Sequence, residues 1–171
     1  MAGETFLQKD LTTKRTKMVT SVQEGGEASA NRIASLDGSG KFPISMMPSG
    51  IGAETKVLPA SEALSSGDLL NIFDDTGTTK VRKADGTSYK PADGFTLAAV
   101  ESGANATVYL DGVNTGVTSL TGGTEYYLSK TAGGVTTDVS GYTTGNIVQF
   151  VGKATAAGEL NFERGEPIEI G

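Results

Sequence analysis

From about Thr55 onward, apolar and polar residues alternate in short runs broken by turn residues, the period expected of half-buried strands. Lys56-Val57-Leu58 opens the series. Leu69-Leu70-Asn71-Ile72-Phe73 and Thr79-Lys80-Val81-Arg82 flank Asp74-Asp75-Thr76-Gly77, a strand–turn–strand signature with Asp and Gly where a tight hairpin needs them. Phe95, Leu97 and Ala99 alternate with Thr96 and Ala98, and Ala106, Val108 and Leu110 with Thr107 and Tyr109, before an Asp111-Gly112 turn. Glu125 to Leu128, Gly134 to Thr137, Ile147 to Val151 and Leu160 to Glu163 continue the pattern, punctuated by Gly122-Gly123 and Gly133-Gly134. The series predicts about eight to ten short strands at the spacing of sandwiches and barrels. The 22 threonines and 24 glycines suit that architecture, because Thr fits a half-buried pleat and Gly supplies positive φ at turns. The predicted fold class is all-β: an extended N-terminal arm and linker, residues 1–54, then a compact antiparallel β-sandwich or barrel, residues 55–171.

The first 54 residues read differently. Residues 1–32 mix charge with Thr, Ser, Gly and Ala and show no sustained apolar period; the Glu- and Ala-rich piece from Gln23 to Ala34 is long enough only for a short helix, marginal alone. Ile33 and Leu36 lead into Asp37-Gly38-Ser39-Gly40, then Lys41 and the run Phe42-Pro43-Ile44-Ser45-Met46-Met47-Pro48. The two prolines bias Phe42 and Met47 away from helix. An extended chain carrying Phe42, Ile44, Met46 and Met47 cannot bury that surface by itself, so it needs a partner chain.

Composition narrows the function. There is no cysteine and no histidine, so disulfides, thiolate zinc sites, Ser-His-Asp triads and two-histidine metal sites are excluded. A non-enzyme without cofactor or metal is expected. The net charge of −6 is uneven: residues 1–56 hold seven basic and six acidic side chains, residues 57–171 seven basic and fourteen acidic. An acidic bulk argues against nucleic-acid binding. The basic residues Lys9, Lys14, Arg15 and Lys17 cluster in the arm, where they suit either a solvated start or a contact with an acidic protein surface. No apolar run approaches the roughly 18 residues of a membrane span. The N-terminal Met1 to Leu11 lacks the apolar core of a secretory signal, so a soluble protein made in the cytoplasm is expected.

Each chemical motif has a plain rival. Asp75-Thr76-Gly77 follows an apolar strand, as does the catalytic triplet of aspartic proteases, and Gln149-Phe150-Val151-Gly152 echoes their later apolar signature. Short chains of that class pair two such carboxylates across a dimer. Against this, Asp74 adds charge, Thr78 stands where that class has Ala or Ser, and an Asp-Asp-Thr-Gly hairpin is sufficient explanation. Asp37-Gly38-Ser39-Gly40-Lys41 lacks both the earlier Gly and the Ser/Thr after Lys of a phosphate loop. Asp74, Asp75 and Asp85 lack the spacing of a Ca²⁺ loop. Tyr109, Tyr126, Tyr127 and Tyr142 are the candidates for a sugar-stacking platform, although adjacent Tyr126 and Tyr127 must point to opposite faces, leaving one in the core.

Two stretches resemble bacteriophage virion proteins. Residues 33–52 fit a pattern I-x-x-L-D-x-x-G-K followed by hydrophobic-x-x-S-M-L/M-P-x-G-I, which in capsid decoration, head-fibre and some tail-fibre proteins joins an attachment region to an outer β domain. The ordered pieces 60–77, 80–85, 94–112, 120–129, 152–154 and 166–168 resemble a β domain that often follows that linker. The resemblance implies a homotrimeric knob or fibre on the major capsid protein, at the surface of the virion, which strengthens the shell. The expected function is thus capsid decoration through non-covalent arm contacts by Phe42, Ile44, Met46 and Met47, with Lys9, Lys14, Arg15 and Lys17 in support. A tail-fibre or tail-tip component that touches the host surface is the alternative. A small dimeric aspartic protease using Asp75 is the alternative of a different class.

Overall fold

The computed structural model describes residues 5–10, 12–22, 34–36, 40–42, 46–47 and 53–171. The chain divides into two compact units, Met1–Gly52 and Ala53–Gly171. Among the described residues the secondary structure is all-β, with every strand pairing antiparallel and no α-helix.

In the N-terminal unit, β1 (Thr5–Lys9) and β2 (Thr16–Thr20) form a two-stranded hairpin with Leu7 opposite Met18 and Lys9 opposite Thr16. Further on, Val22 and Ala34 form an isolated parallel bridge. The region with no legible apolar period therefore contains a ribbon. The span Gln23 to Ala34, apart from Ala34, lies outside the described residues, as does Ile44.

The second unit holds twelve strands: β3 (Thr55–Pro59), β4 (Leu69–Asp75), β5 (Thr78–Lys83), β6 (Gly94–Phe95), β7 (Asn105–Tyr109), β8 (Gly112–Asn114), β9 (Glu125–Leu128), β10 (Val135–Thr136), β11 (Ile147–Val148), β12 (Phe150–Ala156), β13 (Glu159–Phe162) and β14 (Ile168–Glu169). They build one sheet in the order β3-β7-β6-β4-β5, a second in the order β10-β9-β12-β13-β8, and a ribbon β11-β14. The sheets stack as a β-sandwich. The first sheet curls until its edges meet at one parallel bridge, Ala60 to Val81, which is too little to close a barrel.

Two apolar clusters explain the stacking. Between the sheets, Leu69 and Phe95 of the first meet Tyr126, Leu128, Val151, Leu160 and Phe162 of the second. Phe95 bridges the layers, stacked on Tyr109 with ring centroids 5.4 Å apart and tilted against Phe162 at 5.5 Å. On the other face of the first sheet, Leu70, Val81, Ala106 and Val108 are covered by Ala60 and Leu64. Consecutive Leu69 and Leu70 supply both clusters, since neighbouring strand residues point to opposite faces. Buried polar side chains staple what the strands leave open. The Gln149 amide accepts from the Ala92 N–H at 2.7 Å and donates to the carbonyls of Ala92 and Gly165. Asn114 donates to the Gly67 carbonyl and accepts from the Gly116 N–H. There the chain crosses itself so closely that a Cβ on Gly67 would lie 2.4 Å from the Gly116 oxygen.

Strands β3, β4, β5, β7, β9, β10 and β13 fall where the pattern of the sequence places them. The expected strand Ile147 to Val151 is split at Gln149 into β11 and a β12 that runs on to Ala156, and β8 begins at Gly112, which the pattern read as a turn. The alternation at Phe95, Leu97 and Ala99 does not make a strand beyond Phe95. Thr96 is buried, its hydroxyl donating to the Ala98 carbonyl and accepting from the Ala98 N–H, and Ala99 is exposed. That local loop outcompetes the ladder.

Candidate functional site

The four basic residues singled out from the sequence all lie on the β1–β2 hairpin. Lys9 ends β1, Lys14 and Arg15 stand in the connection, and Lys17 is in β2. Asp10 organises the connection: its carboxylate accepts from the N–H groups of Thr12 (2.9 Å) and Thr13 (3.0 Å), while its own N–H donates to the Arg15 carbonyl (2.8 Å). The Thr13 and then Thr12 N–H groups hold the Asp10 carboxyl below the usual carboxylate range. Lys14 adopts φ 57°, the left-handed conformation that the turn requires. Lys17 reaches Asp10 at 3.5 Å; among the described residues no carboxylate lies within ion-pair distance of Lys9, Lys14 or Arg15.

The hairpin also exposes apolar groups that the sequence pattern did not flag. Leu7 is 75% and Met18 69% exposed, and as directly opposed residues they share one face with Lys9. The strands are only five residues each, too short for an alternation to stand out, but two Thr-flanked runs around the Asp-containing connection were the available signal. Of the linker residues, Phe42 and Met47 are exposed and Met46 is half-buried.

In the β domain, the motif residues serve the fold. Asp75 pairs with Thr78 across a two-residue loop in which Thr76 (φ 52°) and Gly77 (φ 87°) both take positive φ, a type I′ turn. The Asp74 carboxylate accepts from the Gly77 N–H, and Asp75 makes a 2.7 Å ion pair with Lys80. Asp85 accepts from the Thr87 N–H and hydroxyl. Among the described residues no group of acidic side chains is arranged to hold a metal ion.

The four tyrosines do not form a platform. Tyr126 is buried and its hydroxyl accepts from the Thr121 N–H. Tyr142 is buried and donates to the Leu128 carbonyl. Tyr109 stacks on Phe95, and Tyr127 meets Phe150 edge-on. The one widely exposed tyrosine is Tyr89, 60% accessible, which no motif singled out. Comparison of the chain with family models, with curated proteins and with solved structures finds no match.

Proposed function

We propose that this chain is a structural virion protein that decorates and stabilises a bacteriophage capsid, held by non-covalent contacts of its N-terminal segment and displaying the acidic β domain outward. The observation that carries this reading is where the exposed apolar side chains are. Among the described residues, Leu7, Met18, Leu36, Phe42 and Met47 of the N-terminal unit are widely exposed, while the far larger β domain exposes only Val57, Tyr89, Val113 and Ile168. A segment that leaves such groups in water is built to bury them on something else. The resemblance of residues 33–52 and of the later pieces to phage particle proteins supplies the partner, the major capsid protein. The absence of histidine and cysteine, with Asp75 engaged in a hairpin turn, favours a role of surfaces over one of catalysis.

Adding the purified full-length protein to particles assembled without it, then imaging them, tests the reading. Regular density over the shell, in many copies, is expected. A few copies at the tail would move the protein to the tail-fibre alternative, and absence of attachment would overturn both.

A further inference from the structure

The hairpin and the far end of the chain carry complementary surfaces. A two-stranded ribbon is marginal alone, yet β1–β2 leaves its Leu7–Met18 face open beside Lys9, with Lys14 and Arg15 at its tip. In the β domain, Ile168 of β14 is 64% exposed. Around it in sequence stand Glu163, Glu166 and Glu169, all exposed, and among the described residues no cation lies within ion-pair distance of any of them. The one base among them, Arg164, is committed to Asp93 at 3.0 Å. Among the described residues strand β14 pairs only with β11, and none pairs with its other edge. The other exposed apolar residues of the domain have no such setting. Val57 stands next to Lys56, Tyr89 next to a lysine already near Asp85, and Val113 close to Asp111, whose carboxylate accepts from the Glu54 N–H.

We propose that the Leu7–Met18 face of the hairpin docks on the acidic edge around Ile168 of a second copy of the chain. Three cations and three glutamates, none of them in an ion pair among the described residues, meet there, and three apolar side chains leave water together. Like charge forbids the simpler pairings: hairpin on hairpin brings cations together, edge on edge brings glutamates together. The contact is heterologous, head to tail, so it closes into a ring or propagates. The inference does not rest on the decoration reading, and its test uses no particle.

Because the chain has no cysteine, introduced thiols report one contact only. Met18→Cys and Ile168→Cys, both at exposed positions, are made in separate full-length proteins, mixed in equal amounts and mildly oxidised. The mixed disulfide should exceed either homodimer about tenfold, whereas random collision gives a statistical mixture. Adding salt to about 1 M, where screening is nearly complete, should lower that excess. Substituting Lys9, Lys14 and Arg15 by Glu should weaken self-association of the full chain about tenfold, and combining this with Glu163, Glu166 and Glu169 to Lys should restore it. A statistical distribution of disulfides, homodimers in excess, or no mixed disulfide would overturn the proposal.

Discussion

The N-terminal segment, Met1–Gly52, and the β domain, Ala53–Gly171, treat apolar side chains in opposite ways. The domain encloses Leu69, Leu70, Phe95, Leu128, Ile147, Val151 and Leu160 completely, with Gln149 and Asn114 satisfying the backbone groups buried among them. The segment leaves Leu7, Met18, Phe42 and Met47 in solvent and keeps its cations close by. The domain encloses its large core residues, whereas the segment leaves apolar groups exposed, a surface that the proposed attachment would cover. On the proposed reading, stability and attachment are carried by different residues, so mutations can divide them.

Deleting residues 1–54 gives the largest expected effect on attachment. It should abolish association with particles, while the remaining domain melts cooperatively; a non-cooperative melt or persistent aggregation would break the comparison. The converse is Gly67→Ala. A Cβ there meets the Gly116 carbonyl at 2.4 Å with φ at +89°, so calorimetry should show a loss of about 3 kcal/mol or more, with attachment unchanged below the melting temperature.

Within the segment, replacing Phe42, Ile44 and Met46 together by Ser should weaken attachment more than removing Lys9, Lys14, Arg15 and Lys17. Burying a large apolar side chain contributes about 1.5–3 kcal/mol, an exposed charge pair about 0–1. Pull-down with particles measures this. Stripping of the protein by high salt, with the Ser variant still bound, would reverse the order of the two effects.

Smaller effects sharpen the domain side. Burial, with Asp138 and Asp85 adding to it, raises the Tyr142 hydroxyl above its ordinary pKa even though the Lys130 N–H opposes the shift. The fold therefore favours the neutral phenol. Its contribution is whole below the unfolded value of about 10 and is lost as pH rises through the higher folded value. Tyr142→Phe removes the hydrogen bond to the Leu128 carbonyl, which should cost about 1 kcal/mol at neutral pH and flatten the alkaline fall in thermal stability. The smallest effect is that of Asp75→Asn, because Asn serves a turn as Asp does and the Lys80 pair is partly exposed. The melting curve should move by less than about 1 kcal/mol, and attachment should not change. Loss of a pH-dependent peptide cleavage in that variant would instead revive the protease.

What could be read in advance follows the reach of the forces. The β4–β5 hairpin was legible because Asp74 to Gly77 encodes its turn within four residues, and β9 because Tyr126 and Leu128 alternate with exposed Glu125 and half-buried Tyr127. β8 and β14 were not, since two or three residues become a strand only through distant partners, Asn161 for Val113 and Val148 for Ile168. The double coverage of the first sheet was hidden for the same reason: Leu64 reaches it through a bridge to Val100. Of the candidate site, the basic residues were visible as a cluster. That a hairpin gathers them beside Leu7 and Met18 was not visible, because the register joining Leu7 to Met18 spans a connection with no standard turn signature.

The Thr76-Gly77 turn has one more consequence. It sits exposed at the tip of two strands held in six paired registers from Leu70–Lys83 to Asp75–Thr78, with the Asp75–Lys80 ion pair just below. The ribbon does not depend on the loop to keep its partners, and lengthening a loop costs only about 0.6 kcal/mol per doubling. For an engineer the turn is a splice point: a foreign peptide inserted between Thr76 and Gly77 would be held clear of both apolar clusters. On a particle coated with this protein, every copy would present that peptide.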